Sequence, residues 1–347
     1  MTSTRANVRI TIDDIAREAN VSYATVSRVI NSKGYVSAET RERVEAVIER
    51  TGYSVNRQAR GLAGGRANVV GLVVPDLDTS YIGEIIRGID SELAKVNYDL
   101  LLFTTRHRRN RENAFVRTIT TGLADGLLLV LPSDPETYLD QFRQRDFPCV
   151  LIDHRGVDES GPVIGATNVE GGYEATRYLL ELGHQRIGIV TGNMKMGCAI
   201  DRLSGYERAL TERGIAIDPS LIERGDFHQP LAFEAASRLL HLSDPPTAIF
   251  ASNDVSAFGV MEAIRDSGRR IATDVSVIGF DDILAASTVN PPLTTIRQPL
   301  FEMGATATRM VLDLIGNPTH AGERIDLPTA LVIRDSCRAP SRRMGTS

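Results

Sequence analysis

The first fifty residues contain three short stretches in which apolar positions recur at helical intervals. The first stretch begins at Thr11, which can cap a helix, and ends at Asn20, which tolerates the left-handed conformation of a tight turn. The second begins after Ser22, and the third begins after Ser37 and stops at Gly52, a favoured residue at a helix C-terminus. Two short helices joined by a tight turn and supported by a third are typical of a DNA-binding helix-turn-helix, although a plain three-helix bundle gives the same pattern.

From residue 68 onward, apolar runs of strand length alternate with amphipathic stretches of helical length. This alternation predicts parallel sheets that are covered by helices on both faces, and two series of runs predict two lobes. The first series comprises 69–74, 100–103, 126–130 and 149–152, and the second comprises 187–190, 248–250 and 275–278. The predicted fold class is therefore α/β, with an all-α helix-turn-helix headpiece followed by a two-lobed, doubly wound core.

Acidic and amide side chains follow several of the predicted strands. Ligands of open parallel sheets collect at the carboxyl ends of the strands, where such groups can bind hydroxyls. The side chains concerned belong to Asp76, Asp153, Asn253, Asp254, Asp281 and Asp282. A single aspartate after a strand is more often a helix cap than a ligand contact, but recurrence at equivalent strand ends predicts a binding cleft.

Charge is distributed unevenly along the 347 residues. Residues 1–66 carry 11 Arg and Lys against 7 Asp and Glu, whereas the remaining residues carry 28 against 37. A basic front end on an acidic body fits a module that approaches a polyanion, although chance clustering gives the same imbalance. The length of the chain predicts two or three domains.

Several classes of protein are disfavoured by the sequence. It contains no apolar run long enough for a membrane-spanning helix, and no secretory signal follows Met1. Three widely spaced cysteines and six scattered histidines match neither a disulfide framework nor a metal-binding pattern. Phosphate-binding, nucleophile-elbow, dinucleotide-binding and zinc-protease motifs are absent. We therefore expect no catalysis, no metal and no cofactor, and we expect a cytoplasmic location.

Three segments resemble the lac repressor family of bacterial transcription regulators. They are 11–31 (TIDDIAREANVSYATVSRVIN), 36–44 (VSAETRERV) and 52–63 (GYSVNRQARGLA). The resemblance continues along the chain and implies a helix-turn-helix headpiece joined to a sensor core like that of periplasmic binding proteins. It implies a repressor under allosteric control by a small molecule between the lobes, with a sugar as the leading interpretation. The alternatives are a purine or another metabolite and, less favoured, a stand-alone sugar-binding protein.

The resemblance also implies DNA contacts, residue by residue. At the start of the second helix, Tyr23 and Ala24 would contact bases, with Arg28 beside them. Leu62 would be a wedge inserted between base pairs from the minor groove. The other implied DNA contacts are Thr11, Ser22, Thr25, Ser27, Asn31, Ser37, Thr40, Tyr53, Asn56 and Ala59. The partner would be double-stranded, pseudo-palindromic operator DNA.

Domain boundaries are implied by the same resemblance. The predicted domains are a headpiece over 1–56, a hinge helix or linker over 57–66, an effector-binding core over 67–340 and a disordered tail over 341–347. The first lobe would comprise about 67–165 and 298–325, and the second about 168–295 and 328–338. Gly61 disfavours helix in the hinge by about 1 kcal/mol relative to Ala, so we expect its order to depend on DNA. No heptad pattern follows Arg338, so we expect a homodimer rather than a tetramer.

In the cleft, the positions that bind sugar hydroxyls in the family are occupied by Asp153, Arg202, Asn253 and Asp281. Phe227 matches the aromatic residue that stacks on a sugar ring, while Asp76 and Tyr81 are expected contacts near the end of the first strand. Core packing of Phe227 and a purely structural ion pair of Arg202 remain the alternatives. The purine-responsive relatives have an aromatic residue where this chain has Ile82, which favours a mono- or oligosaccharide over a nucleobase. His184 lies at a predicted turn, where we expect a structural role.

Overall fold

The computed structural model describes residues 10–30, 34–53, 66–77, 80–105, 109–132, 139, 142, 144–154, 162–317 and 323–340. The chain forms two compact units, Met1–Gly65 and Arg66–Ser347. The first unit is built from short helices, and the second is built from sheets and helices.

The first unit contains three helices, α1 (Ile12–Glu18), α2 (Tyr23–Ile30) and α3 (Ala38–Thr51). As expected, Thr11 caps α1: its side chain accepts a bond from the Asp14 N–H, and the Asp14 carboxylate accepts one from the Thr11 N–H. Asn20 has a φ of 52° in the turn between α1 and α2, and Gly52 has a φ of 64° at the end of α3. The turn and cap signals in the sequence are therefore confirmed.

The apolar stripes of the three helices meet in one small core. Its buried members are Ile15, Ala16, Ala19, Val26, Val29, Val44 and Val47. Burial of a valine or isoleucine side chain stabilises the folded state by about 1.5–3 kcal/mol, so this core supplies the main stabilisation that the short helices lack individually. The other face of α2 is left exposed to solvent.

The second unit contains two sheets, and we call each sheet with the helices packed on it a lobe. The strands of the first lobe are β1 (Val69–Val74), β2 (Asp99–Thr104), β3 (Gly126–Val130), β4 (Cys149–Ile152), β5 (Val163–Ala166) and β11 (Arg324–Leu327). Its helices are α4 (Ser80–Lys95), α5 (Arg109–Ile119) and α10 (Leu300–Gly316). The strand order is β11-β5-β4-β3-β1-β2, and all neighbours are parallel.

The second lobe repeats this plan. Its strands are β6 (Ile187–Thr191), β7 (Ile222–Arg224), β8 (Ala248–Ala251), β9 (Ser276–Asp281), β10 (Thr294–Arg297) and β12 (Ala330–Val332). Its helices are α6 (Asn168–Glu181), α7 (Gly197–Glu212), α8 (Gln229–Leu240) and α9 (Asp254–Asp266), with short 3-10 turns at Pro219–Leu221 and Leu284–Ser287. The order is β12-β10-β9-β8-β6-β7, parallel except for β12, which runs antiparallel to β10.

The predicted apolar runs all form strands, and the two-lobed α/β fold is confirmed. Every residue of β1 and β9 is buried, because helices cover both faces of each sheet. Five strands were not predicted from the apolar runs, namely β5, β7, β10, β11 and β12. Three of these are three or four residues long and half-exposed, so their apolar content is too small to stand out.

In the described part of the chain, three segments cross between the lobes. The first passes through Thr167, between β5 and α6, and the second through Gln298, between β10 and α10. The third passes through Thr329, between β11 and β12. The first and third are bonded to each other, since the Thr329 N–H donates to the Thr167 hydroxyl oxygen at 2.9 Å. Any movement of one lobe relative to the other must therefore involve these three crossovers.

Candidate functional site

A cavity of about 490 Å³ lies between the two lobes. The strands end at its edge, so side chains from the first and second sheets face each other across it. All seven predicted effector contacts line it, namely Asp76, Tyr81, Asp153, Arg202, Phe227, Asn253 and Asp281. The structure thus brings together residues that are spread over more than 200 positions of the sequence. Their role in binding stays a prediction.

A chain of hydrogen bonds connects the two lobes beneath this cavity. On the first-lobe side, the Tyr81 hydroxyl donates to Asp153 Oδ2 at 2.7 Å. Asn168 donates to Asp153 Oδ1 at 3.5 Å and accepts a bond from Arg202 Nε at 2.9 Å. On the second-lobe side, Arg202 faces Asp281 at 3.5 Å. Asp153 and Asp281 therefore have fixed donors, which hold their oxygens in place for hydroxyl ligands.

Arg202 is the charged centre of this network and is only 2 % exposed. Its guanidinium donates to the Ser252 carbonyl as well as to Asn168, and it lies 3.8 Å from the centre of the Phe280 ring. The carboxylates of Asp281 and Asp153 raise the pKa of Arg202 against the opposing effect of burial. The side chain therefore stays charged, and it both pairs with Asp281 and lines the cavity.

The carboxyl group of Asp281 has a strongly raised pKa. Burial raises its pKa to about 7, while the neighbouring Arg202 and a hydrogen bond from Gln298 oppose that rise. On the other side of the cavity, burial and then the charge of Asp153 raise the pKa of Tyr81 well above its ordinary value. Tyr81 therefore remains a hydrogen-bond donor at any physiological pH, whereas Asp281 titrates near neutrality.

Phe227 lines the cavity, which argues against a purely core role. Its backbone has a φ of 66°, and the preceding Asp226 has a φ of 52°, so a tight left-handed turn presents the ring. The ring lies against Gly192, where an added Cβ atom would approach the Phe227 ring to 2.0 Å. Asn253 donates from its Nδ2 to the Phe227 carbonyl at 3.5 Å. An apolar ring face beside carboxylates and amides is suited to a polyhydroxylated ring.

Two of the acidic residues predicted at strand ends do not line the cavity. Asp254 is fully buried and accepts bonds from the Thr295 hydroxyl at 2.5 Å and from the Ile283 N–H at 2.9 Å. Asp282 forms ion pairs with Arg297 and Arg334. The expectation that both project into the cleft is wrong, because each is consumed in holding the second lobe together.

His184 has the structural role that we expected. Its ring nitrogens lie 2.8 Å from the Thr247 hydroxyl and 3.1 Å from the Ser276 hydroxyl. Burial lowers the pKa of His184, so the neutral ring is favoured. Asn253, in contrast, has two roles: it lines the cavity and caps α9 by accepting a bond from the Ser256 N–H at 2.8 Å.

Two residues that bond the cavity carboxylates without lining the cavity were not predicted from the sequence. They are Asn168 and Gln298. Asn168 follows β5, a four-residue strand that was itself overlooked, and recognition of that strand would have drawn attention to it. The cavity-lining residues that were not predicted include Asn193, Met196, Cys198, His228 and Gln229.

In the first unit, the exposed face of α2 carries the predicted base-contacting residues. Tyr23 is 54 % exposed, and Ala24 and Arg28 are also exposed, while Val26 and Val29 face the core. The free N–H groups at the start of α2 make this end of the helix a suitable neighbour for a phosphate. Tyr35, which was not predicted, is 91 % exposed in the segment between α2 and α3.

Several predicted phosphate contacts are already engaged in capping. The Ser22 and Thr25 hydroxyls lie 2.9 Å apart, and the Ser22 oxygen accepts a bond from the Thr25 N–H. Ser37 and Thr40 repeat this arrangement at the start of α3, with hydroxyls 2.8 Å apart. Thr11 is a cap, Ser27 is half-buried on α2, and Tyr53 is half-buried after α3.

Some predictions lie outside the described residues. These concern Asn31, Asn56, Ala59, Gly61 and Leu62, together with 57–65 of the hinge and 341–347 of the tail. Within the described ranges, no helix is long and apolar enough to cross a membrane. The same ranges contain no group of three or more His, Cys, Asp or Glu side chains arranged to hold a metal ion.

Comparisons with known proteins match both units. Residues 11–56 match the family described as bacterial regulatory proteins, lacI family, and residues 176–337 match the periplasmic binding protein-like domain. The HTH-type transcriptional repressor CytR of Escherichia coli (strain K12) is 35 % identical over 344 residues, which cover 98 % of this chain and 99 % of CytR.

Solved structures give the same result. A lac repressor dimer bound to operator and the anti-inducer ONPF is 31 % identical, with a TM-score of 0.83 over 95 % of this chain and 99 % of that one. The transcriptional regulator CelR in complex with cellobiose is 31 % identical, with a TM-score of 0.72 over 94 % and 100 % of the two chains. This chain therefore belongs to the lacI family of bacterial regulatory proteins and is an effector-controlled, DNA-binding transcription regulator.

Proposed function

We propose that this regulator is a repressor whose core binds a sugar between its lobes. The observation that carries the proposal is the convergence of Asp153, Arg202, Asn253 and Asp281 on one cavity beside the ring of Phe227. Carboxylates and amides bind hydroxyls by several hydrogen bonds, and an aromatic ring supports the apolar face of a sugar. The similarity to a regulator solved with cellobiose supports the same class of ligand.

The headpiece is proposed to read operator DNA through α2. Tyr23 and Ala24 would contact base edges, and Arg28 could bond guanine in a bidentate manner. The other predicted contacts would fix the register of the headpiece on the phosphates. Leu62 would act as the minor-groove wedge of a hinge over 57–66, with the headpiece over 1–56 and the core over 67–340 as the functional domains.

We further propose that the chain acts as a homodimer on a pseudo-palindromic operator. A two-fold symmetric protein matches two half-sites of opposite orientation, and the similar lac repressor is a dimer on its operator. Binding of the effector would change the angle between the lobes, and the difference in operator affinity between the two states would be the regulatory output. The protein would act in the cytoplasm, where bacterial DNA lies, and without catalysis.

One experiment tests the function as a whole. The operator is first selected from random DNA with the full chain, and its affinity is then measured with ribose, glucose, galactose, cellobiose, cytidine, adenosine and guanine. We expect a pseudo-palindromic operator and a change of at least tenfold in affinity with one or more of the sugars. A response restricted to guanine or the nucleosides would show that the effector is a purine or another metabolite rather than a sugar. Failure to select any DNA sequence would contradict the proposal that the chain is a repressor.

A further inference from the structure

Gln298 lies at a crossover between the lobes and also contacts a carboxylate of the cavity. It directly follows β10, and two residues later the chain enters α10, whose Leu300 and Met303 pack in the core of the first lobe. The Gln298 Nε2 atom donates to Asp281 Oδ1 at 2.7 Å, and its backbone N–H donates to the Asp281 carbonyl at 3.2 Å. One residue therefore joins a cavity-lining side chain to a segment that connects the lobes.

The second polar atom of the Gln298 side chain, Oε1, indicates that folding stability does not explain a glutamine at this position. Gln298 is 3 % exposed, and no donor among the described residues reaches its Oε1 atom. A buried acceptor without a protein donor is unfavourable for folding. A methionine would fill a similar volume without burying that acceptor. The bond to Asp281 is therefore the better explanation for an amide at this position.

Asp281 depends on that bond for its position. The guanidinium of Arg202 lies 3.5 Å from the same Oδ1 atom, at the outer limit of a hydrogen bond, so Gln298 supplies the shorter contact. The backbone of Asp281 has a φ of 111°, a conformation that its surroundings must enforce. Both bonds from Gln298 act on this strained residue at the point where β9 ends.

We propose that Gln298 is a positioning residue, which holds the Asp281 carboxylate at the cavity and ties its position to the crossover between β10 and α10. The inference rests on the proposed function, because it takes Asp281 to be an effector contact. A sugar hydroxyl bound to Asp281 then biases the crossover. Movement of the lobes changes the affinity of Asp281 for the sugar by the same factor, since coupling between two sites is reciprocal.

The test compares Gln298→Met with the unmodified chain. Operator affinity is measured alone and with saturating ribose, glucose, galactose or cellobiose, and the affinity for each sugar is measured separately. We expect Gln298→Met to keep operator affinity within about twofold, to bind the sugar about tenfold more weakly, and to lose most of the sugar-induced change at saturation. Unchanged sugar affinity and unchanged response at saturation would overturn the proposal.

A matched control is available at the other two crossovers. Thr329→Val removes the two hydrogen bonds of the Thr329 hydroxyl, to the Thr167 hydroxyl and the Thr167 carbonyl. It keeps the bond from the Thr329 N–H and leaves Asp281 and Gln298 untouched. This variant is expected to retain both sugar affinity and response, and an equal loss in both variants would assign the effect to general loosening of the crossovers. Absence of any response by the unmodified chain contradicts the proposed function instead, and it is detected before a variant is made.

Gln298→Glu gives a readout that a packing role would not change. A protonated glutamic acid can donate to Asp281, whereas a glutamate carboxylate cannot and repels it. We expect the variant to respond to sugar at pH 6 and to lose the response at pH 8. The unmodified chain should respond at both pH values, and Gln298→Met should keep only a small response at both. The titratable and charged groups that face this pair are Arg202 and Cys198 on α7, Tyr81 on α4, Asp153 after β4 and Asp254 on α9. An equal response of Gln298→Glu at both pH values would contradict the proposed donor role.

Discussion

Tyr81 on α4 and Asp153 after β4 are joined by a hydrogen bond of 2.7 Å from the phenol to carboxylate Oδ2. Both side chains line the cavity, and both belong to the first lobe. Since burial and the adjacent carboxylate raise the pKa of Tyr81 well above its ordinary value, the phenol donates throughout the physiological range. The bond therefore fixes Oδ2 of Asp153, while Oδ1 accepts a bond from Asn168.

Tyr81→Phe is expected to weaken sugar binding by about tenfold or more, because a hydrogen bond to a charged group contributes about 1.5–3 kcal/mol. Operator affinity without sugar should stay unchanged. Calorimetric titration of the sugar and an operator-binding assay measure the two quantities. Tyr173→Phe is a matched control, since the Tyr173 hydroxyl makes a 2.7 Å bond to Glu212 on an exposed surface. Equal effects of the two substitutions on sugar binding would refute a specific role for Tyr81.

Arg202→Met is expected to abolish the response to sugar. It also leaves the buried Asp281 without its cation, and loss of one partner of a buried pair lowers the free energy of unfolding by about 3–5 kcal/mol. Thermal unfolding and operator binding are therefore measured together with the sugar response. Arg208 lies on the same helix but is exposed and stacks on Tyr173, so Arg208→Ala should change none of these three quantities.

Arg202→Lys separates charge from shape if Arg202→Met proves too unstable. A lysine keeps the positive charge beside Asp281, but it lacks the planar group that stacks on Phe280 and bonds Asn168 at the same time. We expect a chain that still binds operator and responds weakly to sugar. A full response in Arg202→Lys would show that charge alone is sufficient.

Local signals explain why the headpiece and the strands could be predicted from the sequence. Helix caps, the left-handed Asn20 and Gly52, and the spacing of apolar residues all involve neighbours within a few positions. The long buried strands were equally accessible, since both of their faces are apolar. Short edge strands such as β7 and β12 lack that signal, because their side chains are half-exposed.

The partners within the cavity could not be deduced in this way. Asn253 and Asp254 are adjacent at one strand end, but Asn253 lines the cavity, whereas Asp254 points into the second lobe and binds Thr295. Their different positions follow from the direction in which α9 starts, and no local sequence pattern indicates that direction. Gln298 and Asp281 likewise meet only because β9 and β10 are paired side by side.

Exchange of Tyr23 and Ala24 for another pair of residues is expected to change the preferred operator sequence. Each well-placed base contact discriminates against the wrong base by about 1–3 kcal/mol, so the selected half-site should change at one or two positions. Selection from random DNA followed by affinity measurements on both operators provides the test. Ala46→Gln, on the exposed side of α3, is the control and should select the original operator. An unaltered preference after the exchange would remove both residues from base recognition.

Asp281 is also expected to make stability depend on pH. Burial raises its pKa in the folded state to about 7, above the ordinary value of 3.8, so the folded chain binds this proton more tightly than the unfolded chain. Its contribution to stability is therefore fully present below about pH 4 and is lost as the pH rises towards 7, by up to about 1.4 kcal/mol for each pH unit. Asp281→Asn should accordingly show a smaller loss of stability than the unmodified chain between pH 5 and 7.5, measured by urea unfolding.

The control for this measurement is an aspartate with the opposite shift. Hydrogen bonds from Arg270 lower the pKa of Asp274 to about 2, so its contribution is present above the unfolded value and is lost only as the pH falls through that range. Asp274→Asn should therefore leave the slope between pH 5 and 7.5 unchanged. Asp254, whose pKa is also raised by burial, keeps part of the slope in both variants. If Asp281→Asn retained the full slope, the proton taken up near neutrality would belong to Asp254, and Asp281 would be ionised in the cavity at pH 5.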